Sequence, residues 1–241
     1  MNTTTIKDYE VMAPVGSRES LQAAIQAGAD SIYFGVEQLN MRSHSANHFT
    51  IDDLREIAAT CAEHGMKSYL TVNTIIYDED VELMHHIIDA AYEAKISAVI
   101  ASDVAVMTYC RKKGVEVHLS TQLNISNAEA LEFYAQFADV VVLARELNMD
   151  QVAYIHSQIS ERNIVGPNGD PVRIEMFCHG ALCMAVSGKC YMSLENTGRS
   201  ANRGQCMQIC RRSYTVTDNE TGHQLEIDNK YIMSPKDLKT I

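Results

Sequence analysis

Long hydrophobic runs are missing from this sequence. No stretch approaches the roughly eighteen uncharged apolar residues that a membrane-spanning helix needs, and the opening MNTTTIKDYE contains no apolar core typical of signal peptides. We therefore expect a cytoplasmic protein with no membrane partner. A reducing compartment keeps disulfides rare, so a cluster among the seven cysteines is expected to serve metal binding or catalysis rather than pairing.

Positive charge is also scarce. The chain carries 20 Lys and Arg against 31 Asp and Glu, which gives a formal net charge of -11. Nonspecific coating of nucleic acid depends on many basic contacts to phosphate, and this charge balance argues against it. A local basic site remains compatible with the composition.

Two common peptidase motifs, HExxH and GxSxG, do not occur. The adjacent pair His85 and His86 lies in a predicted helix, where neighbouring side chains diverge by about 100° and cannot share a metal. Cys178 and His179 are neighbours at a predicted strand end, where consecutive residues face opposite sides. The residues themselves give no support to a peptidase.

Strand-like apolar runs alternate with amphipathic helical stretches along residues 5–178, the pattern of βα units around a parallel sheet. Seven strands are predicted, at residues 10–13, 31–34, 67–72, 98–101, 116–119, 140–143 and 173–177. Six helices are predicted, at residues 17–27, 51–64, 80–93, 104–113, 127–136 and 148–160. This α/β pattern fits either a TIM-barrel-like parallel barrel or an open doubly wound sheet.

Polar residues and glycines directly after the strands favour the barrel. They are Gly16, Gly35, Asn73, Asp103, Thr121, Gln122, Arg145, Glu146 and His179. In a barrel these positions converge on one mouth, where such enzymes keep their active sites. Residues 213–241 then predict a hairpin and, from Ser234, the start of a further helix. We expect the barrel to be truncated before its closing strand.

Five cysteines fall in one stretch, with the spacing C-x4-C-x6-C-x15-C-x3-C from Cys178 to Cys210. Four thiolates can hold an iron-sulfur cluster or a tetrahedral zinc ion. The absence of a CxxC knuckle favours iron-sulfur over zinc, and packed thiols without a metal are the third alternative. Cys178 ends a strand and is expected to be buried, like Cys61 and Cys110 in helices. Residues 179–212 are therefore interpreted as a cysteine-rich cluster-binding insertion with the ligands Cys183, Cys190, Cys206 and Cys210.

The charge of this cysteine-rich stretch opposes that of the whole chain. Between residues 189 and 212 there is one acid, Glu195, beside five basic residues: Lys189, Arg199, Arg203, Arg211 and Arg212. A basic rim beside a metal pocket suits an anionic ligand, either a phosphate backbone or a carboxylate, because the arginine fork matches both. A solvated charged loop is the alternative.

The chain resembles a known family, the collagenase-like peptidase family U-32. The similar segments are MAPVGSRESLQAAIQAGADSIYFG, NMRSHSANHF, YLTVNT, HLSTQLNISN, VVLARELN, HGALCMAVSGKCYMSLENTGRSANRGQCMQICRRSY and SPKDL. The resemblance implies a β/α-barrel-like catalytic domain with a 4Fe-4S cluster, whose cysteines correspond to Cys183, Cys190, Cys206 and Cys210. Relatives continue past SPKDL to a further helix and strand.

Among the branches of the family, the motifs are most similar to tRNA hydroxylases that add oxygen at C5 of the wobble uridine and require prephenate. Related branches hydroxylate a ribosomal RNA cytidine or act in oxygen-independent ubiquinone synthesis. The resemblance therefore implies tRNA and a small carboxylate co-substrate as partners. Two alternatives remain open: a peptidase, as the family name suggests, and a non-catalytic cluster-bearing subunit in a heterodimer of related chains.

Candidate residues for the hydroxylase follow from these placements. Arg145, at the end of the sixth strand, is predicted to clamp a carboxylate. Glu146, Gln122 and Asn73 are predicted to make polar contacts or handle protons. The candidates for substrate binding are Asn40, Arg42, His179, Arg199, Asn202 and Arg203.

Overall fold

Seven parallel strands form one sheet in the computed structural model, which describes residues 9–41, 43, 49–180 and 182–227. The strands are β1 (Met12–Pro14), β2 (Ser31–Phe34), β3 (Lys67–Val72), β4 (Ala98–Ala101), β5 (Val117–Leu119), β6 (Val140–Val142) and β7 (Arg173–Glu175). Each strand pairs with its neighbours in the sequence, in the order β1 to β7, and every pairing is parallel. A doubly wound sheet reverses its order at a switch point, so the sheet is wound as in a TIM barrel.

Six helices each connect one strand of the sheet to the next. They are α1 (Arg18–Gln26), α2 (Ile51–Glu63), α3 (Val81–Glu93), α4 (Val104–Lys113), α5 (Ala128–Ala135) and α6 (Met149–Glu161). The side chains of Ser17, Asp103, Asn127 and Asn148 accept backbone N–H bonds at four of the starts, as capping residues do. The buried core lies between these helices and the sheet, with Ile32, Leu70 and Leu119 on the strands.

The predicted elements are confirmed, with small changes in their bounds. The first strand begins at Met12 rather than residue 10, because the Val11 N–H donates to the Asp30 carboxylate at 2.8 Å, in the turn before β2. The seventh ends at Glu175 rather than residue 177. The prediction that Cys178 is buried is wrong: it is exposed, since the chain has already left the sheet. Cys61 and Cys110 are buried, as expected.

A charged ring lies at the amino ends of the odd-numbered strands. Lys67 Nζ contacts Glu10 Oε2 at 2.7 Å, and Arg173 Nη2 contacts Glu116 Oε1 at 2.8 Å. Alternate strands of a β/α barrel contribute side chains to one interior layer, and these residues belong to or directly precede strands β1, β3, β5 and β7. The ion pairs are partly exposed, so each contributes little free energy but fixes which side chains meet.

Above this ring lies a more buried polar layer. The Tyr69 hydroxyl donates to Glu10 Oε1 at 2.5 Å, and the Tyr69 ring lies 4.5 Å from the ring of His118, which is 3% exposed. Burial and, to a smaller extent, the nearby charge of Glu10 together raise the pKa of Glu175 from its ordinary value of 4.5 to about 7. Because Glu10 precedes β1 and Glu175 ends β7, this interaction shows that the sheet curls until its two edge strands approach each other.

The residues after the cysteine-rich stretch form the predicted hairpin. Strands β8 (Tyr214–Thr217) and β9 (Gln224–Ile227) pair antiparallel. The Asp218 carboxylate accepts the N–H groups of Glu220 and Thr221 and closes the turn. The helix predicted from Ser234 lies outside the described residues. No helix in the described ranges is long and apolar enough to cross a membrane.

The raised pKa of Glu175 predicts a pH-dependent stability. The folded chain holds this proton up to about pH 7, whereas the unfolded chain releases it near pH 4.5, so stability is lost as the pH rises between these values. Since one pKa unit corresponds to about 1.4 kcal/mol, Glu175→Gln should gain on the order of 3 kcal/mol over the wild type between pH 4 and pH 8.

Urea denaturation of both proteins across this pH range measures the effect. Glu63→Gln, on the exposed face of α2, is the matched control. A constant difference between Glu175→Gln and the wild type would show that the Glu175 carboxyl has the same pKa in the folded and the unfolded chain.

Candidate active site at the carboxyl ends of the strands

Polar side chains after β3 and β5 meet at the carboxyl edge of the sheet. Asn73 Nδ2 donates to Gln122 Oε1 at 3.3 Å, and Gln122 Nε2 donates to the Asn73 carbonyl at 2.7 Å. Ser120 donates to the same Gln122 oxygen, and Asn73 Oδ1 accepts the Met41 N–H at 3.2 Å. The two residues therefore join the loops that follow β2, β3 and β5.

Arg145 lies half-buried after β6. Its Nη2 donates to the Gly180 carbonyl at 3.3 Å, and its guanidinium lies 4.5 Å from the centre of the Phe177 ring. Burial lowers the pKa of Arg145; Cys183 opposes this shift and the positive charge of Arg211 adds to it. Arg145 thus brings a positive charge next to the cysteine-rich segment, whereas Glu146 beside it in the sequence is exposed.

Residues 182–212 cross this carboxyl edge and bond to three of its loops. Asn124, after β5, donates from Nδ2 to the Ser187 carbonyl at 2.9 Å. The Ile75 N–H, after β3, donates to the Asn202 carbonyl at 3.3 Å. Ser43, after β2, donates from its hydroxyl to the Gly204 carbonyl at 3.4 Å. The segment is therefore fixed over the mouth that the sequence predicted as the active site.

Two glycines press directly against these loops, and each lies two residues before a cysteine. Gly188 has φ +73°, and a Cβ there would lie 2.9 Å from Gln122 Cβ. Gly204 has φ +79°, and a Cβ there would fall inside contact distance of the Asn40 carbonyl oxygen and the Ser43 hydroxyl. Both glycines have a left-handed backbone and no room for a side chain. Their conformation sets the path of the chain to Cys190 and Cys206.

The four predicted ligand cysteines share one electrostatic neighbourhood. Burial raises the pKa of Cys210, the charge of Arg211 lowers it, and Cys183, Cys206 and Cys190 raise it further. All four thiols are free and at least partly exposed, which suits the donor chemistry of a thiolate-bound cluster. Among the described residues, however, no three His, Cys, Asp or Glu side chains lie close enough together to hold a metal ion.

The structure places the candidate substrate-binding residues in different surroundings. Asn40 is 4% exposed and donates to the Val36 carbonyl at 3.0 Å. Asn202 accepts the Cys190 N–H at 3.2 Å, and Arg203 forms an ion pair with Asp80 at 2.8 Å. His179 and Arg199 are exposed, and Arg42 lies outside the described residues.

Several residues of the site had no signal in the sequence. Asn124, Tyr77 and Asp80 contact the cysteine-rich segment. Tyr77 and Asp80 lie outside the conspicuous motifs and strand ends, and Asn124 belongs to HLSTQLNISN but is not singled out within it. The positive φ of Asn124, 53°, follows a single helical turn after β5 and could not be read from its residue type alone.

The sequence profile of Peptidase family U32 matches residues 16–241, nearly the whole chain. The chain belongs to this family. A protein named Collagenase from Porphyromonas gingivalis (strain W83) is 70% identical over 98% of this chain and 57% of its own length. The tRNA hydroxylation protein P1 of Bacillus subtilis is 35% identical over 98% of this chain and 54% of its own length.

Two further similar proteins are a synthase named for its ribosomal RNA product and a protein whose structure has been solved. The 23S rRNA 5-hydroxycytidine C2501 synthase of Escherichia coli is 34% identical over 98% of this chain and 34% of its own length. Apart from that longer protein, the chain spans about half the length of these curated relatives. A solved U32 peptidase, Mk0906, shares the fold with a TM-score of 0.55 and 14% identity, over 69% of this chain and 67% of its own.

The glycine corner before Cys206 generates a prediction. Gly204→Ala should destabilise the protein by more than Gly114→Ala, because Gly114 has a similar φ of +76° but open space where a side chain would lie. A side chain on a left-handed backbone costs about 1 kcal/mol at either site, and only Gly204→Ala adds a clash with Asn40.

Chemical denaturation of the two variants measures the difference, and trypsin cleavage after Lys189 and Arg199 reports the cysteine-rich segment separately. Equal stability and equal cleavage of the two variants would show that the Gly204 contact is loose in solution.

Proposed function

We propose that this chain is an iron-sulfur-dependent RNA hydroxylase that acts at C5 of the wobble uridine in tRNA with prephenate as co-substrate. The observation that carries the proposal is the position of the cysteine-rich segment. Four cysteines share one electrostatic neighbourhood over the mouth of a β/α-barrel sheet, beside the half-buried Arg145. A barrel mouth is where enzymes of this architecture bind their substrates.

The relatives support the reaction class at a coarser level. Proteins named for hydroxylation of tRNA and for synthesis of hydroxycytidine in 23S rRNA match 98% of this chain at 34–35% identity. Both names refer to the hydroxylation of an RNA. We extend this reaction class to the present chain, with RNA as its substrate.

The residues of this chain have separate roles in the proposed reaction. Cys183, Cys190, Cys206 and Cys210 would hold a 4Fe-4S cluster, which supplies redox chemistry or binds an oxygen-donating group. Arg145 binds the carboxylate of the co-substrate, since its positive charge is partly desolvated and therefore interacts strongly with an anion.

The surrounding polar groups orient the substrates. Gln122 and Asn73 hold each other across the mouth at 2.7 and 3.3 Å, so a ligand would meet amide groups whose positions are already fixed. Exposed Arg199 and His179 lie on the solvent side, where an RNA backbone can reach them. Glu146 is exposed and would handle protons at the edge of the site.

Peptide cleavage is the second candidate function, because the relative at 70% identity is named Collagenase. A peptidase needs an activated nucleophile or metal-bound water. Outside the predicted ligand set, Cys178 is exposed while Cys61 and Cys110 are buried, so its thiol is the one that a peptide could reach in that case.

The cluster is tested by anaerobic purification. The wild type should be brown, with about four iron and four sulfide per chain, and Cys206→Ser should lose this colour because a thiolate ligand is removed. Cys178→Ser is the matched control, since it changes an exposed cysteine outside the predicted ligand set. A colourless wild type that contains zinc would contradict the cluster assignment.

The reaction is tested by mass spectrometry of tRNA nucleosides from cells that lack the gene. Hydroxylation of the wobble uridine should disappear and return with the wild-type gene. Arg145→Gln should restore less than a tenth of it, because loss of one charged contact to a carboxylate costs about 1.5–3 kcal/mol. Unchanged tRNA together with lost collagen cleavage would favour the peptidase.

A further inference from the structure

Arg203 connects the cysteine-rich segment to the loop after β3 through an ion pair and an aromatic contact. Its Nη1 lies 2.8 Å from Asp80 Oδ2, and its Nη2 lies 3.4 Å from Asp80 Oδ1, so both nitrogens face one carboxylate. The guanidinium also lies 3.9 Å from the centre of the Tyr77 ring. We call these three side chains the Arg203 clamp.

Both partners of the ion pair in the clamp are shielded from water. The side chain of Arg203 is 24% exposed and that of Asp80 is 14% exposed. A forked ion pair is stronger in such a partly desolvated place than on an open surface, and the aromatic ring adds a cation–π attraction. Glu79 Oε1 also lies 3.7 Å from Arg203 Nη2, so the charge of Arg203 is already balanced by carboxylates within the chain, and a phosphate group would have to compete with them.

The clamp lies where the chain paths to two of the predicted ligand cysteines meet. Arg203 precedes Cys206 by three residues, with the Gly204 corner between them. Its neighbour Asn202 accepts the Cys190 N–H from its side chain at 3.2 Å and the Ile75 N–H from its carbonyl at 3.3 Å. Movement of Arg203 away from Asp80 would therefore loosen both cysteine loops, which the bonds of Ser187 to Asn124 and of Gly204 to Ser43 would then hold to the barrel without it.

We propose that Arg203 is a positioning residue, which holds Cys190 and Cys206 over the barrel mouth through Asp80 and Tyr77. This role replaces the RNA contact that its charge suggested in the sequence. The proposal rests on the proposed function only in taking these cysteines as cluster ligands. The clamp itself is a property of the protein chain, and it can be measured without iron or RNA.

The test measures how fast iodoacetamide alkylates each cysteine of the full chain after iron has been removed with a chelator. Mass spectrometry follows the alkylation. Arg203→Gln should speed the labelling of the half-buried Cys190 about five- to tenfold, because local opening exposes this thiol more often. Cys206 is already exposed, so its labelling should change less. Arg203→Lys should give a smaller increase, since lysine keeps the charge but lacks the fork and the flat face.

Asp80→Asn separates positioning from contact with RNA. This change lies on the barrel side of the clamp and leaves Arg203 with its charge, yet it should raise the labelling rate of Cys190. Labelling of Cys178 should change less than twofold in every variant. Arg55→Gln is the control for loss of an arginine, because Arg55 forms an exposed ion pair with Glu93 between α2 and α3.

Unchanged labelling of Cys190 in both Arg203→Gln and Asp80→Asn would overturn the proposal. Weaker tRNA binding in Arg203→Gln alone, with labelling unaffected, would overturn it in favour of an RNA contact. A wild type without bound iron would instead contradict the proposed function, and the labelling rates would still decide whether the clamp exists.

Discussion

The common direction of the seven strands is the constraint on which the rest of the structure depends. Because every strand is parallel to its neighbour, all loops after the strands emerge at one edge. Asn73, Gln122 and Arg145 are far apart in the sequence but are brought to this edge together. The cysteine-rich segment forms hydrogen bonds with three of these loops, and these bonds fix it across the mouth.

The interior of the sheet differs from the usual apolar filling of a β/α barrel. Lys67, Glu10, Glu116 and Arg173 form two ion pairs at the amino ends of the strands. Above them, burial raises the pKa of Glu175 to about 7. Charged groups inside a fold reduce stability unless they are paired, so this layer selects one arrangement of strands at some cost in free energy.

The charge of the basic rim did not predict which groups each of its arginines contacts. Arg199, Arg203 and Arg211 all belong to the basic rim, yet their surroundings differ. Arg199 is exposed, Arg203 is bound to Asp80 and Tyr77, and Arg211 lies within electrostatic reach of Arg145 and Cys210. An ion pair between residues 80 and 203 depends on where two distant segments meet, and no local pattern carries that information.

The sequence by itself determined the seven strands, the six helices that follow them and the hairpin, because apolar periodicity and capping residues act over a few neighbouring positions. It also singled out the cysteine-rich stretch by spacing. The tertiary structure decided the exposure of Cys178, the amide pair of Asn73 and Gln122, and the Arg203 clamp. Cys178 is exposed because the chain leaves the sheet at Glu175, whereas the amide pair and the clamp arise from contacts between residues distant in the chain, which the curl of the sheet brings together.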